Sequence, residues 1–160
     1  MKNTIGTFSW PAVITGGALA AIAVALISQY GFGLQPCPWC VFQRLLLVAI
    51  AIVGAIGLPR RMNRYRFIVG APVLILALLG VAAAAWQHFM AAKSNACELT
   101  LAYKIVAMDL HLDQFLPSVF EARATCADAA VNLLGIPYDF WSLGVFAVIA
   151  LIAIQYLRRP

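Results

Sequence analysis

The chain has 160 residues, of which 64% are hydrophobic and 11% are charged, and its formal net charge at pH 7 is +5. A typical soluble domain carries about 25% charged residues. A soluble protein of this size would have too little polar surface to cover so much apolar area. The composition therefore argues against an ordinary soluble domain and predicts an all-α membrane protein.

Four apolar segments are long enough to cross a bilayer as helices. They cover residues 11–30, 41–58, 67–86 and 140–157, and each is close to the about 20 residues that a hydrocarbon core requires. The first exceeds the apolar region of a cleaved signal peptide, so we interpret it as a retained helix. We find no internal repeat, and we predict that residues 1–160 form one membrane domain, a four-helix transmembrane bundle.

Basic residues predict the orientation of the bundle. One side carries Lys2, the basic link between the second and third spans, and the end of the chain, with Arg60, Arg61, Arg64, Arg66, Arg158 and Arg159. The opposite side carries three basic residues and all six acidic ones: Lys93, Lys104, Arg123, Glu98, Asp109, Asp113, Glu121, Asp128 and Asp139. Because cytoplasmic loops are enriched in Lys and Arg, both termini are predicted to be cytoplasmic. The positive charge then reports topology and contact with membrane lipid, and we expect no nucleic acid partner.

The one long hydrophilic segment, residues 87–139, is predicted to lie outside the cytoplasm. Between Leu110 and Phe120 it mixes apolar and polar residues, and Pro117 interrupts the pattern. This pattern predicts short interfacial helical pieces rather than one continuous helix.

All four cysteines fall on the extracytoplasmic side, where an oxidising compartment favours disulfides. Cys37 and Cys40 form Cys-Pro-Trp-Cys. This ring is too small to stabilise a fold appreciably, so the motif indicates redox chemistry or metal binding. Cys97 and Cys126 enclose a longer loop, whose disulfide would be worth about 3 kcal/mol in the chain-entropy model. Their spacing alone favours a structural role.

Two alternatives to a redox enzyme follow from the cysteines. The first is a membrane scaffold with purely structural disulfides. The second is a metal-handling membrane protein, because Cys and His ligands build tetrahedral zinc sites. The chain has a single Cys-X-X-Cys motif and two histidines, so we predict no metal site.

Two further side chains stand near the Cys-Pro-Trp-Cys motif. Cys40 is expected at or just before the start of the second helix, where unpaired backbone N–H groups favour a thiolate. Arg44 lies one turn deeper on the same face, and a guanidinium inside a bilayer usually has a functional partner. The alternative is that Arg44 extends to the headgroups. His88 follows the third span at a similar depth. Both are candidates for contacting a lipid-soluble acceptor.

The sequence resembles the DsbB family, bacterial inner-membrane thiol:quinone oxidoreductases, along nearly its whole length. The matching residues occur in the family's order: Cys37-Pro38-Trp39-Cys40-Val41-Phe42-Gln43-Arg44, Gln87-His88, Cys97, Leu116-Pro117-Ser118-Val119-Phe120, Cys126, Pro137 and Trp141-Ser142-Leu143-Gly144. The vitamin K epoxide reductase group also pairs four-helix bundles with quinones. Its Cys-X-X-Cys motif, however, belongs near the end of its bundle, whereas this one follows the first span.

The resemblance implies an enzyme that reoxidises DsbA, a periplasmic thioredoxin-fold disulfide donor, and passes the electrons to ubiquinone or menaquinone. By resemblance, Cys97–Cys126 and Cys37–Cys40 are redox-active pairs, and Cys97 forms the mixed disulfide with the DsbA-like partner. Electrons are expected to leave to the quinone from Cys40, with Arg44 and His88 as cofactor-binding residues. This replaces the structural role that spacing alone favoured for Cys97 and Cys126.

Overall fold

A computed structural model of the chain describes residues 9–58, 65–90, 101–133 and 135–158. In chain order these residues form α1 (Trp10–Phe32), α2 (Pro38–Gly57), α3 (Tyr65–Phe89), α4 (Leu101–Tyr103), a π-helical segment (Lys104–Asp109), α5 (Leu112–Phe115), α6 (Pro117–Phe120), β1 (Asn132–Leu133), β2 (Ile136–Pro137) and α7 (Tyr138–Arg158). Four of them, α1, α2, α3 and α7, are long and apolar enough to cross a membrane. The predicted four-helix, all-α membrane fold is therefore confirmed, and the chain is a multi-pass membrane protein.

The ends of the long helices differ from the limits of the apolar runs, because capping of the backbone, rather than hydropathy, sets a helix end. α2 begins at Pro38 instead of residue 41, since proline suits the first helical turn and Cys37 is the N-cap. It ends at Gly57, one residue before the predicted limit. α1 ends at Phe32, and the φ of its C-cap, Gly33, is 70°, which lies in the left-handed region that favours glycine.

The predicted loop of residues 87–139 is shorter at both ends. α3 continues to Phe89, and α7 begins at Tyr138. As a result His88 lies in the last turn of α3, and Asp139 lies in the first turn of α7. Hydropathy places both residues in the loop, because a polar residue ends each apolar run. These two helix ends face the site described below.

All four long helices contribute to the core of the bundle, and its buried cluster includes Ile14, Ile50, Val73 and Phe146. A Cβ atom added at Gly80 of α3 would overlap the ring of Phe146 on α7. Because Gly80 has no side chain, these two helices can approach closely. Small residues commonly have this role in membranes, where lipid removes the hydrophobic drive for helices to associate. α3 and α7 share the most extensive helix contact, whereas α1 and α7 touch sparsely.

The linker between α3 and α7 packs onto the start of α2. Val106 of the π-helical segment and Phe120 of α6 are buried together with Val41. The hydroxyl of Tyr30 donates a hydrogen bond to the carbonyl of Ser118 at 2.7 Å. The predicted short helical pieces are confirmed, and Pro117 opens α6, since proline is accommodated at a first turn. The linker ends in an antiparallel ladder of β1 and β2.

Several sequence predictions fall on residues outside the described ranges. They concern Lys2, Arg60, Arg61, Arg64, Lys93, Cys97, Glu98 and Arg159.

Candidate active site

The Cys-Pro-Trp-Cys pair caps α2. Cys37 is the N-cap residue, and its sulfur accepts a hydrogen bond from the backbone N–H of Cys40 at 3.4 Å. The two sulfur atoms lie 3.0 Å apart, and both cysteines are free thiols. Cys40 is in the first turn of the helix, slightly inside the position expected from the sequence. Its sulfur is thus close to the unpaired N–H groups at the helix N-terminus.

Cys37 is shielded from solvent, with an exposed fraction of 0%. The hydrogen bond to Cys40, followed by burial, raises the pKa of the Cys37 thiol well above its ordinary value. Cys37 therefore stays protonated at neutral pH and can donate its S–H to the sulfur of Cys40. The two sulfurs occupy different environments although they are three residues apart.

Cys126 of the linker is packed against Cys37. The two residues form a small buried cluster with Ala129, and Cys126 is 1% exposed. The carbonyl of Pro36 holds the segment in place by accepting the backbone N–H groups of Arg123 at 3.0 Å and Ala124 at 3.3 Å. Cys126 is disulfide-bonded. Cys97 lies outside the described residues, so its pairing with Cys126 stays a prediction.

Arg44 is buried inside the bundle, one turn below Cys40, with an exposed fraction of 5%. Its Nη1 donates to the side-chain oxygen of Gln29 at 2.7 Å and to the carbonyl of Val119 at 2.9 Å. Its Nη2 donates to the carbonyl of Ala25 at 3.4 Å. Protein oxygens thus bind the guanidinium between α1, α2 and α6, which does not agree with a side chain extended to the headgroups.

A cavity of about 970 Å³ opens between α1 and α7. Its walls are mainly apolar side chains of these two helices, and Cys40 and Arg44 lie on its lining together with polar residues of α2, α3 and α7, namely Gln43, Gln87, Tyr138, Asp139 and Ser142. The cavity exists because α1 and α7 touch sparsely. A sulfur and a guanidinium therefore share the wall of one apolar space.

Sequence reasoning missed a chain of buried hydrogen bonds that ends at Cys40. Ser142 donates to Gln43, and Gln43 donates to the amide oxygen of Gln87 at 2.7 Å. Gln87 then donates to the sulfur of Cys40 at 3.3 Å and to Asp139. A usable signal was present, because polar side chains within membrane helices are costly and commonly functional.

His88 does not line the α1–α7 cavity. Its Nδ1 lies 3.4 Å from Oδ2 of Asp139, and its ring packs on Phe89 and Phe140. The structure therefore connects His88 to the site through Asp139, and a direct contact with a cofactor stays a prediction. Among the described residues, no cluster of three or more His, Cys, Asp or Glu side chains is arranged to hold a metal ion.

Comparison with known proteins identifies relatives over most of the chain. The family model described as "Disulfide bond formation protein DsbB" matches residues 8–156. The chain is 32% identical to disulfide bond formation protein B of Dechloromonas aromatica over 155 residues, which cover 94% of this chain and 93% of the relative. It is 32% identical to the protein of the same name from Polaromonas naphthalenivorans, over 92% of this chain and 89% of the relative. Disulfide bond formation protein B 2 of Pseudomonas aeruginosa is 29% identical over 89% of this chain and 85% of its own length.

Proposed function

Because the chain belongs to the DsbB family of disulfide bond formation proteins, we propose that it is a thiol:quinone oxidoreductase that reoxidises a DsbA-like thioredoxin-fold partner. In the balanced reaction, two thiols of the partner become a disulfide, and a quinone gains two electrons and two protons. Thiolate exchange carries the electrons within the protein, since each exchange forms one S–S bond and breaks another.

One observation carries this proposal: Cys126 packs on Cys37, while Cys40 lines the apolar cavity. A relay between a soluble partner and a lipid-soluble acceptor needs one thiol pair accessible from water and a second pair at the membrane. Contact between the linker and the start of α2 supplies the connection between them. We propose that electrons enter at Cys97–Cys126, pass to Cys37–Cys40, and leave from Cys40.

The residues of the cavity fit a quinone. A ring with an isoprenoid tail needs an apolar space, and about 970 Å³ lies at the upper end of ordinary ligand pockets. Its carbonyl oxygens need donors. The guanidinium of Arg44 has five N–H groups, and its bonds to Gln29, Val119 and Ala25 use three of them. Nε and one N–H of Nη2 can still donate. Ubiquinone and menaquinone both have the required carbonyl groups.

We assign the protein to the bacterial inner membrane, with both termini in the cytoplasm and the cysteines in the periplasm. Because Cys126 is buried, exposed reporter positions give a clearer test of this orientation. Phe115 on α5 and Arg158 at the end of α7 are both exposed. In a chain whose native cysteines are replaced by serine, a membrane-impermeant maleimide should label Phe115→Cys in intact spheroplasts. It should label Arg158→Cys only in inverted vesicles. The reverse pattern would contradict the orientation argued from basic residues.

The function is tested with the purified protein, a reduced thioredoxin-fold dithiol protein and a short-chain ubiquinone or menaquinone. We expect one quinone to be reduced for each dithiol oxidised, over many turnovers per protein molecule. The measurements are quinone absorbance and titration of the remaining thiols. Absence of thiol oxidation with both quinones would reject the enzyme and favour the structural scaffold. Stoichiometric metal in the same preparation would favour the metal-handling alternative.

A further inference from the structure

The side chain of Gln87 makes two donor contacts at the end of α3. Its amide nitrogen lies 3.3 Å from the sulfur of Cys40 and also donates to Oδ1 of Asp139. Gln87 is 2% exposed and Asp139 is 3% exposed. A buried polar group that loses its partner is costly, because water cannot take the place of that partner. Protein groups, and not solvent, therefore determine the geometry of the Gln87 contacts with Cys40 and Asp139.

The neighbours of Gln87 determine which end of its amide faces Cys40. An ionised carboxylate can only accept hydrogen bonds, and Oδ2 of Asp139 already lies 3.4 Å from Nδ1 of His88. On the other side, Nε2 of Gln43 donates to Oε1 of Gln87 at 2.7 Å. Turning the amide of Gln87 over would bring its oxygen against the carboxylate and its nitrogen against another N–H donor. The nitrogen is therefore directed at Cys40 and Asp139.

We propose that Gln87 is a catalytic hydrogen-bond donor that stabilises the thiolate of Cys40, and that Asp139 is the positioning residue that orients it. This assignment rests on the proposed function in one respect, namely that Cys40 is the thiol that reacts with the quinone. A thiolate on the wall of an apolar cavity needs such a donor, because burial disfavours charge. The thiolate is the nucleophilic form of cysteine, so the donor keeps Cys40 reactive where water is scarce.

The negative charge of Asp139 opposes the stabilisation of the Cys40 thiolate that its hydrogen bond to Gln87 supports. A carboxylate near Cys40 repels a thiolate, whereas its hydrogen bond to Gln87 presents the donor that favours one. The single variant Asp139→Leu removes both the charge and the acceptor, so by itself it cannot separate the two effects. Other titratable or charged groups also lie around Cys40. Cys37 contacts its sulfur, and four further groups from α2, α7 and the linker line the cavity: Arg44, Tyr138, Arg123 and Asp128. A double-mutant cycle holds their contributions constant.

The experiment measures the rate at which iodoacetamide alkylates Cys40 as a function of pH, by mass spectrometry of the peptide that contains it. A Cys37→Ser background prevents the internal disulfide and keeps an N-cap residue on α2. Gln87→Met, which retains the length of the side chain but not its donor, should move the midpoint upward by about one pH unit. The matched control is Gln155→Met, an exposed glutamine near the opposite end of α7, which should leave the midpoint unchanged.

In an Asp139→Leu background, the shift caused by Gln87→Met should shrink to less than half, because no acceptor at position 139 orients the amide. Should Gln87→Met fail to fold, Gln87→Asn retracts the amide and is expected to shift the midpoint in the same direction. An unchanged midpoint in the folded Gln87 variant would overturn the donor role. A shift of full size without the carboxylate would overturn the role of Asp139. The alkylation assay contains no quinone. Its result therefore does not depend on whether the protein reduces quinone, and the two proposals can fail separately.

Discussion

Replacing Cys40 with serine is expected to lower quinone-dependent turnover by about three orders of magnitude or more, the usual scale for loss of a reacting nucleophile. Its sulfur is the thiol that lines the α1–α7 cavity, whereas Cys37 is fully buried behind it. A serine hydroxyl keeps the size of the side chain and its position in the first turn of α2. The loss should therefore be chemical, with the fold retained.

A single-turnover measurement provides the internal control for Cys40→Ser. The proposed Cys97–Cys126 disulfide does not include Cys40, so the oxidised variant should still oxidise one equivalent of the dithiol partner and then stop. Non-reducing gels should show the partner oxidised once, while the quinone absorbance stays constant. Repeated turnover by Cys40→Ser with quinone would show that Cys40 is not the residue that passes electrons to quinone. Loss of even the first turnover would mean that entry also requires it.

Arg44→Ala is expected to raise the apparent KM for quinone by about 10- to 100-fold, the effect of losing a hydrogen bond from a charged donor. Arg44→Lys should recover part of this loss, because an ammonium keeps the charge but lacks the planar fork. The dithiol step should be unaffected in both variants. Steady-state kinetics at varied quinone concentration, with saturating partner, gives the comparison.

The structure also predicts a stability effect for Arg44→Ala. Removing the guanidinium leaves the oxygens of Gln29 and Val119 without this donor, and an unpaired buried acceptor costs about 1–3 kcal/mol. Thermal unfolding in detergent should be recorded with the kinetics. Arg158→Ala is the matched control, since Arg158 is exposed at the far end of α7. A folded Arg44→Ala protein with an unaltered KM for quinone would limit Arg44 to holding α1, α2 and α6 together.

The four membrane helices could be predicted because a helix that crosses the hydrocarbon core of a bilayer needs an apolar run of about 20 residues. The candidate cysteines and Arg44 could be found because each stands out locally, as a close pair or as a charge within an apolar run. The ends of the helices could not be placed by hydropathy. Pro38 and Gly33 set two of them through backbone geometry.

The sequence marks the polar members of the hydrogen-bond chain around Cys40 as candidates, but it does not show that they meet, because they come from three helices. Gln43, Gln87 and Ser142 are distant in the chain, and nothing local marks which helix faces meet. Hydropathy places Asp139 in the loop, because its charge ends the apolar run. In the structure this carboxylate is buried among partners that can donate to it. A side chain that ends an apolar run can belong to the interior.

The contact between the Pro36 carbonyl and the backbone N–H groups of Arg123 and Ala124 has a kinetic consequence. It fastens the segment that carries Cys126 to the segment that carries Cys37, so the two sulfurs need no diffusional search. In the proposed relay, exchange between them would be unimolecular, with a rate set by the effective molarity that this contact gives the two thiols. Dilution of the protein slows only the encounter with a soluble dithiol and leaves the internal step unchanged.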